Sequence, residues 1–151
     1  MKKLTTFLFI LSFISLKSQT QNHRGLYVDN EGNLFNGKIL KTQHDIKQEY
    51  TVKDGVINGE VNYYYASGSI METGIFTEGK KDQKWTRYNV QGHVTAIAFY
   101  DLGKKTGTWL VFDDNGKKRF EMNYLNGDKT GIWTSWDENG AIANVANYNP
   151  N

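Results

Sequence analysis

The chain has 151 residues, 18 basic against 16 acidic side chains for a formal charge of +2, a single proline and no cysteine. That length allows one domain with a core of its own, and the missing cysteine excludes disulfides, thiol chemistry and a cysteine-linked lipid anchor. Three of the lysines, Lys2, Lys3 and Lys17, lie in the first 20 residues, so the remainder carries 15 basic against 16 acidic groups and has no bulk charge for general nucleic-acid binding.

Residues 1–20 read as a secretory signal peptide. Lys2 and Lys3 form a basic start, Phe7 to Ile14 an apolar stretch, and Ser15 to Thr20 a mostly small or polar end. A membrane span needs about 20 apolar residues, and this run is much shorter. The expectation is an exported protein, periplasmic or extracellular, with no lipoprotein anchor and no transmembrane span. Residues 21–50 read as an N-terminal cap with a degenerate first repeat. Gly25 to Val28 and Asn30 to Gly32 suggest a leading hairpin. Asn36-Gly37-Lys38-Ile39 resembles Asn58-Gly59-Glu60-Val61 at a spacing of 22 residues. The first unit is therefore two residues short, near Gln43-His44-Asp45.

From residue 51 to 149 a 24-residue period repeats four times. Gly55, Gly79, Gly103 and Gly127 keep it, as do Gly68, Gly92, Gly116 and Gly140. Trp85, Trp109 and Trp133 keep it too, with Phe76, Tyr100, Tyr124 and Tyr148, and with Tyr88, Phe112 and Trp136. A fixed period of this size marks a quasi-one-dimensional array, each unit burying its apolar face against the next. The large rings are the expected structural core of an elongated fold that buries little area per residue.

Alternating residues on both sides of Asn115-Gly116 predict a hairpin, with a two-residue type I′ turn there. Asn139-Gly140, Gln91-Gly92 and Ser67-Gly68 occupy the same slot. That turn sets a register. Asp114 faces Lys117, Asp113 faces Lys118, Val111 faces Phe120 and Trp109 faces Met122, while Trp85 faces Ala98 and Trp133 faces Ala146. Leu125 to Gly131 is then a longer loop between hairpins. The other face carries Leu110, Phe112, Thr134, Trp136, Tyr88 and Ile97.

The spacing Tyr124-x2-Gly127-x3-Gly131-x-Trp133-x2-Trp136-x3-Gly140 resembles the bacterial MORN-repeat variant. Tyr100-Gly103-Gly107-Trp109-Phe112-Gly116 matches it equally. Phe76-Gly79-Trp85-Tyr88-Gly92 lacks one glycine, and Val52-Gly55-Gly59-Tyr64-Gly68 lacks the tryptophan. The resemblance covers residues 37–148 and is specifically to the proteins labelled antitoxin-like. It implies an all-β, single-layer antiparallel meander of hairpins with no catalytic centre, and it leaves an antitoxin or immunity role as the alternative function.

No catalytic constellation emerges from the residues. His23, His44 and His93 are not at metal-ligand spacing and read as turn residues. Asp113-Asp114-Asn115-Gly116 and its counterparts lack the distal glutamate and helices of a calcium loop, and they fit turn chemistry. No phosphate-cradling or nucleophile motif occurs, and no cofactor is expected. Beyond architecture the repeat offers one feature, a row of lysines at Lys80, Lys81, Lys104, Lys105 and Lys129. Successive units should stand about 9–10 Å apart, two strand spacings. The expected role is a non-enzymatic binding or scaffold module in the cell envelope. Its partner is a protein or an anionic envelope component, including one at a membrane surface, and not nucleic acid.

Overall fold

The computed structural model describes residues 20–149, so the signal peptide expected at 1–20 lies almost wholly outside the described residues. Among the described residues there is no helix. Two short strands, β1 (Thr20–Gln21) and β2 (Tyr27–Val28), pair with each other. Ten more build one antiparallel sheet in strict chain order: β3 (Gly37–Gln43), β4 (Ile46–Lys53), β5 (Val56–Tyr64), β6 (Ile70–Thr77), β7 (Lys80–Tyr88), β8 (Val94–Asp101), β9 (Lys104–Phe112), β10 (Lys118–Leu125), β11 (Asp128–Trp136) and β12 (Ile142–Asn147). The fold is the expected all-β meander, one large sheet of repeated hairpin units.

The turns differ from the sequence expectation, and the difference is an exchange of types. The Asn115-Gly116 hairpin is a five-residue turn. The Asp113 N–H donates to the Lys117 carbonyl at 2.9 Å, and the Gly116 N–H to the Asp113 carbonyl at 3.0 Å. The Asp113 carboxylate then accepts from the Asn115 and Lys117 N–H groups. Gly116 has φ 80°, and Asn115 is not at positive φ. That is a type I turn closed by a left-handed glycine, and the Asp113 side chain favours it by occupying two backbone donors. Asn89 and Asp137 act identically in their units.

The type I′ turns lie instead in what read as long inter-hairpin loops. Asp54-Gly55, Glu78-Gly79, Leu102-Gly103 and Asn126-Gly127 all have both residues at positive φ, and Leu125 pairs directly with Asp128. His44-Asp45, at φ 50° and 62°, turns the first hairpin in two residues where later units use five. The two residues missing from the 22-residue first unit are absent at this place. Each later I′ glycine also ties its turn to the one before. The N–H groups of Gly79, Gly103 and Gly127 donate to the carbonyls of Ile57, Lys81 and Lys105 at 2.7–2.9 Å.

The register near the five-residue turn therefore shifts. Phe112, not Asp113, faces Lys118; a bulge at Arg119 then restores the alignment. Val111 faces Phe120 and Trp109 faces Met122, while Trp85 faces Ala98 and Trp133 faces Ala146, as the sequence implied.

The tightest packing is in the N-terminal half. Ile39, Tyr50, Val52, Val61 and Trp85 form the buried cluster, with Tyr27, Phe35, Ile57 and Phe76 packed against it. The cover comes from residues 27–35, which dock on the first I′ turn: Tyr27 N–H donates to the Gly55 carbonyl, and Gly55 N–H to the Phe35 carbonyl. Fully burying a Val52- or Val61-sized side chain contributes about 1.5–3 kcal/mol. Gly74 is glycine because Trp85 lies on it; a Cβ there would stand 2.3 Å from the indole. Among the described residues the sheet beyond Trp85 has no such cover, and Trp109 and Trp133 are only partly buried.

Candidate functional site

A bulge in each repeat sets the geometry of the open face. Between β8 and β9, Ile97 faces Leu110 and Phe99 faces Thr106, so residues 107–109 oppose Ala98 alone. Gly107, at φ 62°, opens the bulge. The Trp109 indole N–H closes it by donating to the Phe99 carbonyl at 2.9 Å. Trp133 donates to the Asn123 carbonyl and Trp85 to the Ile75 carbonyl in the same way. The repeated tryptophan thus fills space and satisfies a carbonyl that the bulge removes from the ladder. In the unit that lacks the second glycine, Gln83 takes the bulge at φ 56°.

So anchored, the rings form a continuous ladder on one face: Phe76, Trp85, Tyr100, Trp109, Tyr124, Trp133, Tyr148. Neighbouring centroids are 4.9–6.3 Å apart, with planes inclined at 53–89°. Such tilted contacts are favourable for aromatic quadrupoles. Tyr88, Phe112 and Trp136 lie three residues beyond each ladder tryptophan and belong to the opposite face. There Trp136 carries the Lys118 ammonium at 4.9 Å from its ring centre.

The five lysines of the row divide between the faces. Lys81 reaches over Trp85 and Tyr100, with its ammonium 3.7 and 5.5 Å from the two ring centres. Lys105 sits over Trp109 and Tyr124 at 4.7 and 4.9 Å, and Lys129 over Trp133 and Tyr148 at 4.5 and 4.8 Å. Each is a cation–π cup of one lysine and two rings. Lys80 and Lys104 alternate to the other face, flank the I′ turns and touch no ring of the ladder.

A groove of about 400 Å³ crosses the ladder between its covered and open halves. Tyr100, Trp109 and Tyr124 wall it, and Ala96 and Ala98 lie within it. At its rim Glu72 accepts from Arg87 at 2.9 Å and from Lys81 at 3.1 Å. Burial pushes the Glu72 carboxyl up, but Arg87 and Lys81 outweigh it and hold the group below its ordinary range. Sequence reasoning missed this pair. The available signal was a break in the repeat: the Glu72 slot holds Ala96 and Phe120 in later units, and the Arg87 slot holds Val111 and Ser135. Asp82, next to Lys81 in the chain, accepts from the Thr77 hydroxyl and the Leu102 N–H, which hold its carboxyl below the usual range.

Among the described residues no group of histidine, aspartate, glutamate or cysteine could hold a metal ion. His93 and His44 sit in turns, with the His93 Nδ1 beside the Asp114 carbonyl at 3.1 Å. No helix among the described residues is long and apolar enough to cross a membrane.

Residues 105–126 and 129–149 match the model of the MORN repeat variant. Those two stretches are therefore MORN-repeat-like, and they begin at Lys105 and at Lys129, the lysines of the second and third cups. That repeat type is consistent with a non-enzymatic protein. No curated protein matches the chain. Among solved structures it is similar to a TarM mutant from S. aureus at 15% identity and TM-score 0.31, over 76% of this chain and 21% of that one. It is also similar to a GtfA/B complex at 9% identity and TM-score 0.26, over 73% of this chain and 24% of that one. The chain spans about a quarter or less of the length of those structures, and likenesses so slight carry none of their properties to it.

Proposed function

We propose that this chain is an exported, non-enzymatic binding module of the cell envelope that engages an anionic partner through the open face of its repeat sheet. The observation that supports this most is the threefold recurrence of a lysine over a tryptophan and a tyrosine, at Lys81, Lys105 and Lys129. Packing alone does not require a charge there. Among the described residues Lys105 and Lys129 have no carboxylate partner, so their charge is available to a ligand. Residues 1–20 supply the case for export.

The test is a pull-down from the host's own envelope extract, with protein and lipid eluates identified. The baits are the wild-type chain and one with Lys80, Lys81, Lys104, Lys105 and Lys129 changed to Glu. The expected result is an anionic partner retained by wild type and lost with the variant. A partner held equally by both baits would move the site off the lysine row. A single small toxic protein, retained by both and neutralised on co-expression, would support an immunity role instead.

A further inference from the structure

The geometry points to a linear anionic polysaccharide as the ligand, one carrying a single acid group per two sugars and lying across the strands with its acids on Lys81, Lys105 and Lys129. This rests on the binding-module reading and gives it a ligand class and a register.

Spacing comes first. The three lysines occupy equivalent places on β7, β9 and β11, two strands apart each time, so their charges repeat at about 9–10 Å. An extended acidic peptide advances about 3.3 Å per residue and presents one face every second residue, near 7 Å. In the β conformation it falls out of step by the third cup. A chain with one carboxylate per disaccharide keeps pace with the cups.

Shape comes second. Adjacent strands rotate by roughly 20–25°. Four steps separate β7 from β11, so the first and third cups are turned about 80–100° from one another. A flat lipid surface meets one cup, or two, but not all three. A linear chain follows the twist.

Chemistry comes third. The ladder is wide, aromatic and partly exposed beyond Trp85, and the groove near its middle has alanine at Ala96 and Ala98, with Tyr100, Trp109 and Tyr124 around it. Sugar rings have an apolar face that packs on aromatic rings and hydroxyls that need polar partners. The Tyr148 hydroxyl, 3.4 Å from the Lys129 ammonium, and the Glu72–Arg87 pair at the groove rim are placed to supply them. Because Lys81 already contacts Glu72, the first cup carries less free charge than the other two.

The probe is a length series of hyaluronan oligosaccharides, which have one carboxylate per disaccharide, titrated into the full chain and followed by tryptophan fluorescence and calorimetry. Polyglutamate of equal charge and phosphatidylglycerol vesicles run in parallel. Affinity should climb with each disaccharide up to three carboxylates and then level off. Changing Lys81, Lys105 and Lys129 together to Gln should weaken the three-carboxylate ligand about tenfold or more, and changing Lys80 and Lys104 to Gln less than about twofold. The same three changed to Arg should restore binding, which separates lost charge from lost fold. If polyglutamate or vesicles bind and the oligosaccharides do not, the polysaccharide assignment is overturned and the binding face stands. Equal losses in the two Gln variants would overturn the cup register. No binding by any probe, while the envelope pull-down retains a partner, would overturn this inference alone; an empty pull-down as well would overturn both.

Discussion

Three tryptophans occupy equivalent slots and yet differ in worth, because their surroundings differ. Trp85 is 2% exposed, lies on Gly74 and belongs to the buried cluster; Trp133 makes the same indole hydrogen bond but is only partly buried. Trp85→Ala should cost about 3–5 kcal/mol in urea unfolding, and Trp133→Ala about half as much. Equal costs would show that the repeat, and not burial, sets the value of the slot. Glu72 gives a pH prediction. Its carboxyl lies below its ordinary value of 4.5 in the folded chain, although burial alone would raise it. A carboxylate with a depressed folded value contributes stability above its unfolded value and loses it as pH falls through the folded one. Wild type should thus be more stable than Glu72→Gln at neutral pH by about 1 kcal/mol at most, since the Arg87 and Lys81 ends reach solvent. The gap should close on acidification below about pH 4.5. A gap that stays constant with pH would exclude the ion pairs as its source. The sequence made the tryptophan slots visible because they recur. It did not show that one of them is deep and the others shallow, because that depends on residues 27–35 folding over only one end.

At the level of turns, the exchange of types is the instructive mismatch. Asn-Gly alone reads as a type I′ hairpin, but an aspartate or asparagine three residues before the glycine changes the outcome. Asn89, Asp113 and Asp137 each cap two backbone donors and lengthen the turn to five residues. The readable signature was Asp/Asn-x-x-Gly at the 24-residue period. Leu102 was harder to place, since leucine is a poor candidate for a left-handed position. It nevertheless holds φ 43° at the head of a two-residue turn while 47% exposed. A left-handed L-residue costs roughly 1–2 kcal/mol, less for asparagine, and little burial would be lost on replacing this side chain. Leu102→Asn should therefore stabilise the chain by about 0.5–1 kcal/mol, seen as a raised urea midpoint at unchanged slope. A lowered midpoint would mean that Leu102 makes a contact which outweighs its backbone strain. Ser67, by contrast, already replaces the missing carboxylate in its own turn, accepting weakly from the Ser69 N–H at 3.4 Å.

Across the whole molecule, strict chain-order pairing makes every interface a nearest-neighbour one, so stability should be graded along the sheet. The buried cluster involves β3, β4, β5 and β7, with residues from β6 and β8 packed against it. From β9 onward the sheet is held by its ladder hydrogen bonds, the ring contacts, the indole–carbonyl bonds and the ties between turns. Ile132, Ile142 and Val145 there remain exposed. Local opening should start in that half, because few apolar contacts are lost when it frays. Amide hydrogen exchange should accordingly show the strongest protection in β4 and β5 and the weakest in β12, with β9 to β11 between them. Trp133→Ala should raise exchange in β10 to β12 and leave β4 to β6 unchanged. Uniform acceleration over all ten strands would mean that the array unfolds as one cooperative unit. Such a unit would hold its three lysine cups in a fixed relation, whereas a graded sheet leaves the β9 and β11 cups free to adjust to a ligand while the β7 cup stays anchored on the core.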